Sequence, residues 1–116
     1  MLLACPPSDM GLLRGYDPTP VKQEYLTRAI QCHQDHIAIA DAGGQFVAHT
    51  NLGLCYALLG DIASASRHQQ DALRIAIKMQ TLYGQSIAVG NLGMLAMSRQ
   101  DYTTARTCFE QVVIFL

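Results

Sequence analysis

From Val21 onward the apolar positions fall three or four residues apart, the spacing that gathers them on one face of an α-helix. Leu26, Ala29, Ile30, His33, Ile37 and Ala40 form the first such face, and the tandem glycines Gly43-Gly44 predict its end, since glycine accepts turn conformations at little steric cost. A second series, Val47, Ala48, Leu52, Cys55, Tyr56 and Leu59, runs to Gly60-Asp61, where glycine closes one helix and aspartate caps the next. The third helix carries Ile62, Ala65, His68 or Gln69, Ala72, Leu73 and Ala76 to about Met79, with Gly84 as the next corner. Ile87, Ala88, Leu92, Leu95 and Ala96 make the fourth, and after Gln100-Asp101 the fifth carries Tyr102, Ala105, Cys108, Phe109, Val112 and Val113. No stretch alternates with the period of two that marks a strand, so the expectation is an all-α chain of five helices over 21–116. Residues 1–20 hold four prolines with Gly11 and Gly15 and predict an irregular leader, with one turn near Met10 to Leu13.

The pattern repeats. Asn51-Leu52-Gly53 recurs forty residues later as Asn91-Leu92-Gly93, and Gln45, Ala48, Asp61 and Ala65 recur at Gln85, Ala88, Asp101 and Ala105. Seven identities at one offset across 29 aligned positions compare with roughly two from average composition, so the chain contains an internal repeat. Short corners between helices force neighbours to run antiparallel, and each pair leaves an apolar face that the next pair covers, which makes an α-solenoid. Glycine inside a helix costs about 1 kcal/mol relative to alanine, so Gly53 and Gly93 predict a close backbone approach, with Ala65 and Ala105 as the expected facing positions.

Leu52-Gly53-x-x-Tyr56, then Ala65, then Ala72 resembles the tetratricopeptide repeat. The second copy keeps Leu92-Gly93, Ala105 and Phe109, with Ala96 in the aromatic place, Val112 in a small-residue place and no closing proline. The forty-residue period and the asparagine before the leucine-glycine pair resemble the long repeats of Pins/LGN-like adaptors and kinesin light chains. Ala29 to Ala40 resembles the second helix of a repeat, aligned with Ala65 to Ala76. The resemblance thus implies a leader over 1–20, a partial first repeat over 21–44, one repeat over 45–84 and a truncated one over 85–116. In that alignment eleven residues separate Ala40 from Asn51 and fifteen separate Ala76 from Asn91, which predicts a first corner about one helical turn short. With both ends uncovered, and with the apolar run Val112-Val113-Ile114-Phe115-Leu116 last, the expectation is a piece of a longer array that self-associates through its open faces.

The resemblance also implies a surface. In that family the first helix of each pair lines a concave groove that holds an extended peptide. By register the groove is offered by Val47, Thr50, Asn51, Leu54, Ala57 and Leu58 from one repeat, and by Ile87, Gly90, Asn91, Met94, Met97 and Ser98 from the next. Asparagine has both donors and an acceptor, so Asn51 and Asn91 suit a peptide backbone, or else satisfy neighbouring groups of their own helices. Leu54 and Met94 stand where the related adaptors often carry a second asparagine, which favours apolar anchors over polar capture. Thr50 and Gly90 occupy the lysine place of repeats that clamp a terminal carboxylate, so that mode is not expected. The implied function is a non-enzymatic interaction module, a scaffold or adaptor segment that binds a protein or peptide partner. The alternatives are a structural spacer, or a regulatory arm of a larger protein whose active domain lies elsewhere.

Composition narrows the picture further. Half of the 116 residues are apolar, enough for a packed core, and eight basic against nine acidic residues, without a run of either sign, argue against nucleic acid or an acidic membrane surface as partner. Leu2-Leu3-Ala4-Cys5 matches the cleavage motif of bacterial lipoproteins but lacks the charged start and apolar stretch of a signal, and no run is long enough to span a membrane. Cys5, Cys32, Cys55 and Cys108 stand far apart, which predicts reduced thiols and a cytoplasmic protein. Cys32, His33 and His36 include two groups four apart on one helix, but a structural zinc site takes four ligands, and His49 and His68 show no partner nearby in sequence. The sequence therefore predicts no metal site, no cofactor and no catalytic residue.

Overall fold

Aspartate or threonine recurs every twenty residues as a helix cap. The structure, a computed structural model, describes residues 19–115; the expected leader turn near Met10 and the final Leu116 lie outside them. It contains α1 (Thr19–Ile39), α2 (Ala42–Leu58), α3 (Ile62–Lys78), α4 (Leu82–Ser98) and α5 (Tyr102–Phe115), with no strand among the described residues. Asp41, Asp61, Thr81 and Asp101 accept the amide N–H of Gly44, Ser64, Gly84 and Thr104 at 2.8, 3.1, 3.1 and 3.2 Å, each satisfying a donor that the first helical turn leaves free. The other side of the three later corners is equally regular. Gly60, Gln80 and Gln100 take positive φ of 86°, 56° and 60°. The amides of Asp61, Thr81 and Asp101 then reach back to the carbonyls of Tyr56, Ala76 and Ala96 at 2.9, 3.1 and 2.9 Å, closing each helix with a left-handed residue.

Two expected corners move as a result. Gly43-Gly44 and Gly84 do not end helices; they lie in the first turns of α2 and α4, and the breaks fall at Ala40-Asp41 and Met79-Gln80-Thr81. Gly44 and Gly84 are instead places of close approach, where a Cβ would lie 2.8 Å from Ala40 Cβ and 3.2 Å from Ala76 Cβ respectively. The first corner is shorter than the others by one residue, two against three, rather than by a helical turn. The alignment of α1 on α3 shifts accordingly: Leu26 and Ile30 are buried as Ala65 and Gln69 are, an offset of thirty-nine instead of thirty-six. Helix α1 also begins earlier than expected, with Pro20 in its first turn, where the missing N–H costs nothing.

The cap carboxyls make the fold acid-sensitive in a defined direction. Hydrogen bonding from Ser64, hydroxyl first and amide second, holds Asp61 below the usual carboxylate range, and Thr104 does the same for Asp101. Because the folded value is lowered, this stabilisation is fully present above the ordinary carboxylate range and is lost as pH falls through the lowered value. The expected result is a urea midpoint that declines on acidification, with a flatter acid limb in the Asp61→Asn, Asp101→Asn double variant, whose amides still cap. An unchanged acid limb in that variant would contradict the assignment.

Each helix packs on its neighbours in sequence and runs antiparallel to them. Along α2 and α3, Tyr56 meets His68, Gly53 meets Gln69 and His49 meets Asp71, one series descending as the other rises. Among the described residues, seven of the twelve buried apolar ones are alanine, at 48, 65, 72, 76, 88, 96 and 105, so the helices meet backbone to backbone with little bulk between them. The result is an elongated layer of 50 × 36 × 23 Å, whose radius of gyration of 16.2 Å exceeds the about 13 Å of a compact domain this size. The close approach at Gly53 is real, but it faces Gln69 rather than Ala65; Gly93 faces Phe109 and Cys108 rather than Ala105. Gln69 and Phe109 are themselves forty residues apart, so the two glycines make the same contact in both copies. Helix α5 buries only Ala105, and leaves Phe109, Val113 and Ile114 exposed.

Candidate functional site: the groove between α2 and α4

Gln69 organises the groove from below. It is 1% exposed, its Nε2 donates to the Thr50 carbonyl of α2 at 3.1 Å, and its Oε1 accepts from Asn91 Nδ2 of α4 at 3.3 Å. One buried amide on α3 thereby ties the two flanking helices together, and the absence of a side chain at Gly53 makes room for it. Above it lies a cavity of about 290 Å³ lined by Gly53, Leu54, Ala57, Gln69, Asn91, Met94, Leu95 and Ser98. No charged group lines it. Leu54 and Met94 stand 47% and 62% exposed on its walls, so apolar surface is offered rather than hidden.

Of the residues expected from sequence, Leu54, Asn91 and Met94 meet here, together with Ala57 and Ser98. Val47, Thr50, Asn51, Leu58, Ile87 and Met97 do not line the cavity, although Val47, Leu58 and Met97 are exposed apolar residues of the same two helices. Gly90 also lies off it, near Val112 of α5. The Thr50 hydroxyl donates to its own helix, at the Phe46 carbonyl, 2.9 Å away. Gln69, Gly53 and Leu95 were not expected in the groove. Gln69 had a signal: it is a polar residue on an otherwise apolar stripe, where the second copy has Phe109.

The two asparagines are not equivalent. Asn91 spends its amide on Gln69, whereas the α1 counterpart of Gln69 is Ile30, which has nothing to bond. Among the described residues the Asn51 side chain has no hydrogen-bond partner, and it is half-buried.

A second cluster lies where α2 crosses α3. His49 and His68, which show no partner nearby in sequence, face each other with Nδ1 atoms 3.0 Å apart and ring centroids 5.3 Å apart. Tyr56 stacks flat on His68, centroids 5.4 Å apart and planes 2° from parallel. Asp71 presents Oδ2 at 3.9 Å from His49 Nδ1, and Arg74 holds its other oxygen at 2.6 Å. Burial first, then the charges of His49 and Arg67, push His68 below the ordinary imidazole range, against the opposing pull of Asp71. Among the described residues Cys32, His33 and His36 do not bring three donor atoms together around one point. Cys32, Cys55 and Cys108 are free thiols, and burial pushes Cys55 and Cys108 up, the opposite of nucleophilic activation.

Among the described residues no helix is long and apolar enough to cross a membrane. No protein-family model matches the chain, and the searches of curated proteins and of solved structures likewise found no match.

Proposed function

We propose that the chain is a non-enzymatic protein-interaction module, an α-solenoid of the tetratricopeptide kind that binds a partner peptide in the groove between α2 and α4. The observation that carries this reading is the open, uncharged groove over Gln69, with Leu54 and Met94 exposed on its walls. A lining of this kind recognises an apolar anchor residue, and methionine adapts its unbranched chain to different anchors. Asn51 has an uncommitted amide on the same helix as Leu54, suited to the backbone of an extended ligand. The forty-residue recurrence and the antiparallel helix pairs support the solenoid assignment.

The test is a titration of the full chain against a library of peptides with apolar anchors. The expected result is saturable binding that Leu54→Glu or Met94→Glu abolishes. Asn51→Ala is expected to weaken it about 2- to 12-fold, the equivalent of one hydrogen bond of 0.5–1.5 kcal/mol, with an unchanged melting midpoint. Binding that ignores all three substitutions would overturn the proposal. A structural spacer is the second reading, favoured by the internal use of Asn91, and a well-folded chain that binds no peptide would select it.

A further inference from the structure

We propose that His49, His68 and Asp71 form a binding site for a single divalent cation of the zinc class, bridging α2 and α3 with one coordination position left to water. Their donor atoms all lie within 4.8 Å of one another, two on α3 one helical turn apart and one across the helix pair. The chemistry of the set is selective: two imidazole nitrogens with one carboxylate suit zinc and its neighbours rather than magnesium or calcium, which take oxygen. Distances agree. A tetrahedral ion with Zn–N bonds near 2.0–2.1 Å places its donors about 3.3 Å apart, against 3.0 Å between the two Nδ1 atoms. Asp71 Oδ2 stands 3.9 Å from His49 Nδ1 and within 4.8 Å of the His68 donor, so the carboxylate closes on the two imidazoles as the ion binds.

The surroundings hold the donors in place. Tyr56 stacked on His68 fixes the plane of that ring, and Arg74, bonded to Asp71 Oδ1, leaves Oδ2 facing the histidines. Such outer partners orient metal ligands and set their strength. Packing alone does not call for this trio. Forty residues on, the same places hold Val89, Cys108 and Gln111, and Val89 is a buried apolar residue. Two imidazoles with their Nδ1 atoms in contact satisfy each other only when a single proton is shared, whereas a cation uses both lone pairs at once. His49 and Asp71 keep side-chain exposures of 16% and 30%, so an ion has a way in. Arg67 and Arg74 weaken the attraction for a dication, and three protein ligands make an exchangeable site rather than a closed structural one.

Cobalt(II) is the probe, titrated into the reduced full chain with visible absorption as the readout. The expected result is one equivalent bound with the d–d bands of a nitrogen and oxygen tetrahedron and no thiolate charge-transfer band. His49→Val and His68→Ala should each remove the bands, while the His33→Ala, His36→Ala double variant keeps them. Valine is chosen because Val89 already fills the equivalent place in a folded helix, and circular dichroism checks the fold of each variant. Asp71→Asn, at a partly exposed position, should weaken binding by about tenfold or more without touching the core. No tetrahedral bands at millimolar cobalt, bands with thiolate character, or bands that survive His49→Val in a folded chain would each overturn the site.

Discussion

Replacing Gly53 with valine or leucine is expected to destabilise the fold by roughly 2–5 kcal/mol, the sum of overpacking and the loss of the hydrogen bonds that Gln69 makes. A Cβ at Gly53 would collide with Gln69 Nε2 and lie 3.0 Å from its Cδ. The amide can yield only by leaving the Thr50 carbonyl and Asn91, and at 1% exposure it has no water to turn to. Alanine at Gly53 is therefore not benign: its helix propensity returns about 1 kcal/mol, but it still displaces Gln69, for an expected net cost of about 1–2 kcal/mol. Gly93→Ala supplies the control. There the Cβ would lie 2.8 Å from Phe109 Cε1, which at 37% exposure can swing aside, and 3.1 Å from Cys108 Cβ, which moves only with its helix, so the change is expected to cost less than Gly53→Ala, about 1 kcal/mol or less. Urea midpoints of the two alanine variants decide the matter, and a Gly53→Ala protein as stable as its parent would show that Gln69 is not held as described.

Gln69→Ala is expected to cost about 2–4 kcal/mol, because it deletes a fully buried side chain and both of its hydrogen bonds. Gln69→Leu should recover part of that, about half, since an apolar residue fills the space as Phe109 does in the second copy. The same geometry separates the asparagines. Asn91→Ala leaves Gln69 Oε1 buried without its partner and should cost about 1–3 kcal/mol, whereas Asn51→Ala should stay within about 0.5 kcal/mol. In the double variant Gly53→Ala, Gln69→Ala the losses should not add, because alanine at 69 removes the group that the Cβ meets. Additive losses would place the stress at Gly53 somewhere other than Gln69.

Helix faces were legible because burial recurs at 3.6 residues wherever a helix is covered on one side. Leu26, Ile30, Ala65, Ala72 and Ala88 were all placed correctly on core faces by spacing alone. The corners at Gly60-Asp61 and Gln100-Asp101 were legible through their capping residues. Those at Ala40-Asp41 and Gln80-Thr81 were not. Gln80 adopts a left-handed conformation that its side chain does not advertise, and the nearby glycines, the stronger local signal, serve close approach instead.

The sequence by itself determined the helical class, the forty-residue period, the cap at Asp61, the corner at Gln100-Asp101 and the close approach at Gly53, since each depends on residues within a turn or on recurrence along the chain. Tertiary structure alone decided which side chains meet across helices: Gln69 with Thr50 and Asn91, and His49 with His68 and Asp71. Those partners lie 19 to 22 residues apart, and their meeting depends on how far each helix is rotated about its own axis. A shift of one residue turns a helical side chain by about 100°, so a corner of two residues instead of three changes which residue faces the next helix. Local spacing tells which face is apolar, but only the packed neighbours set that rotation finely enough to bring two amides or two imidazoles to hydrogen-bond distance.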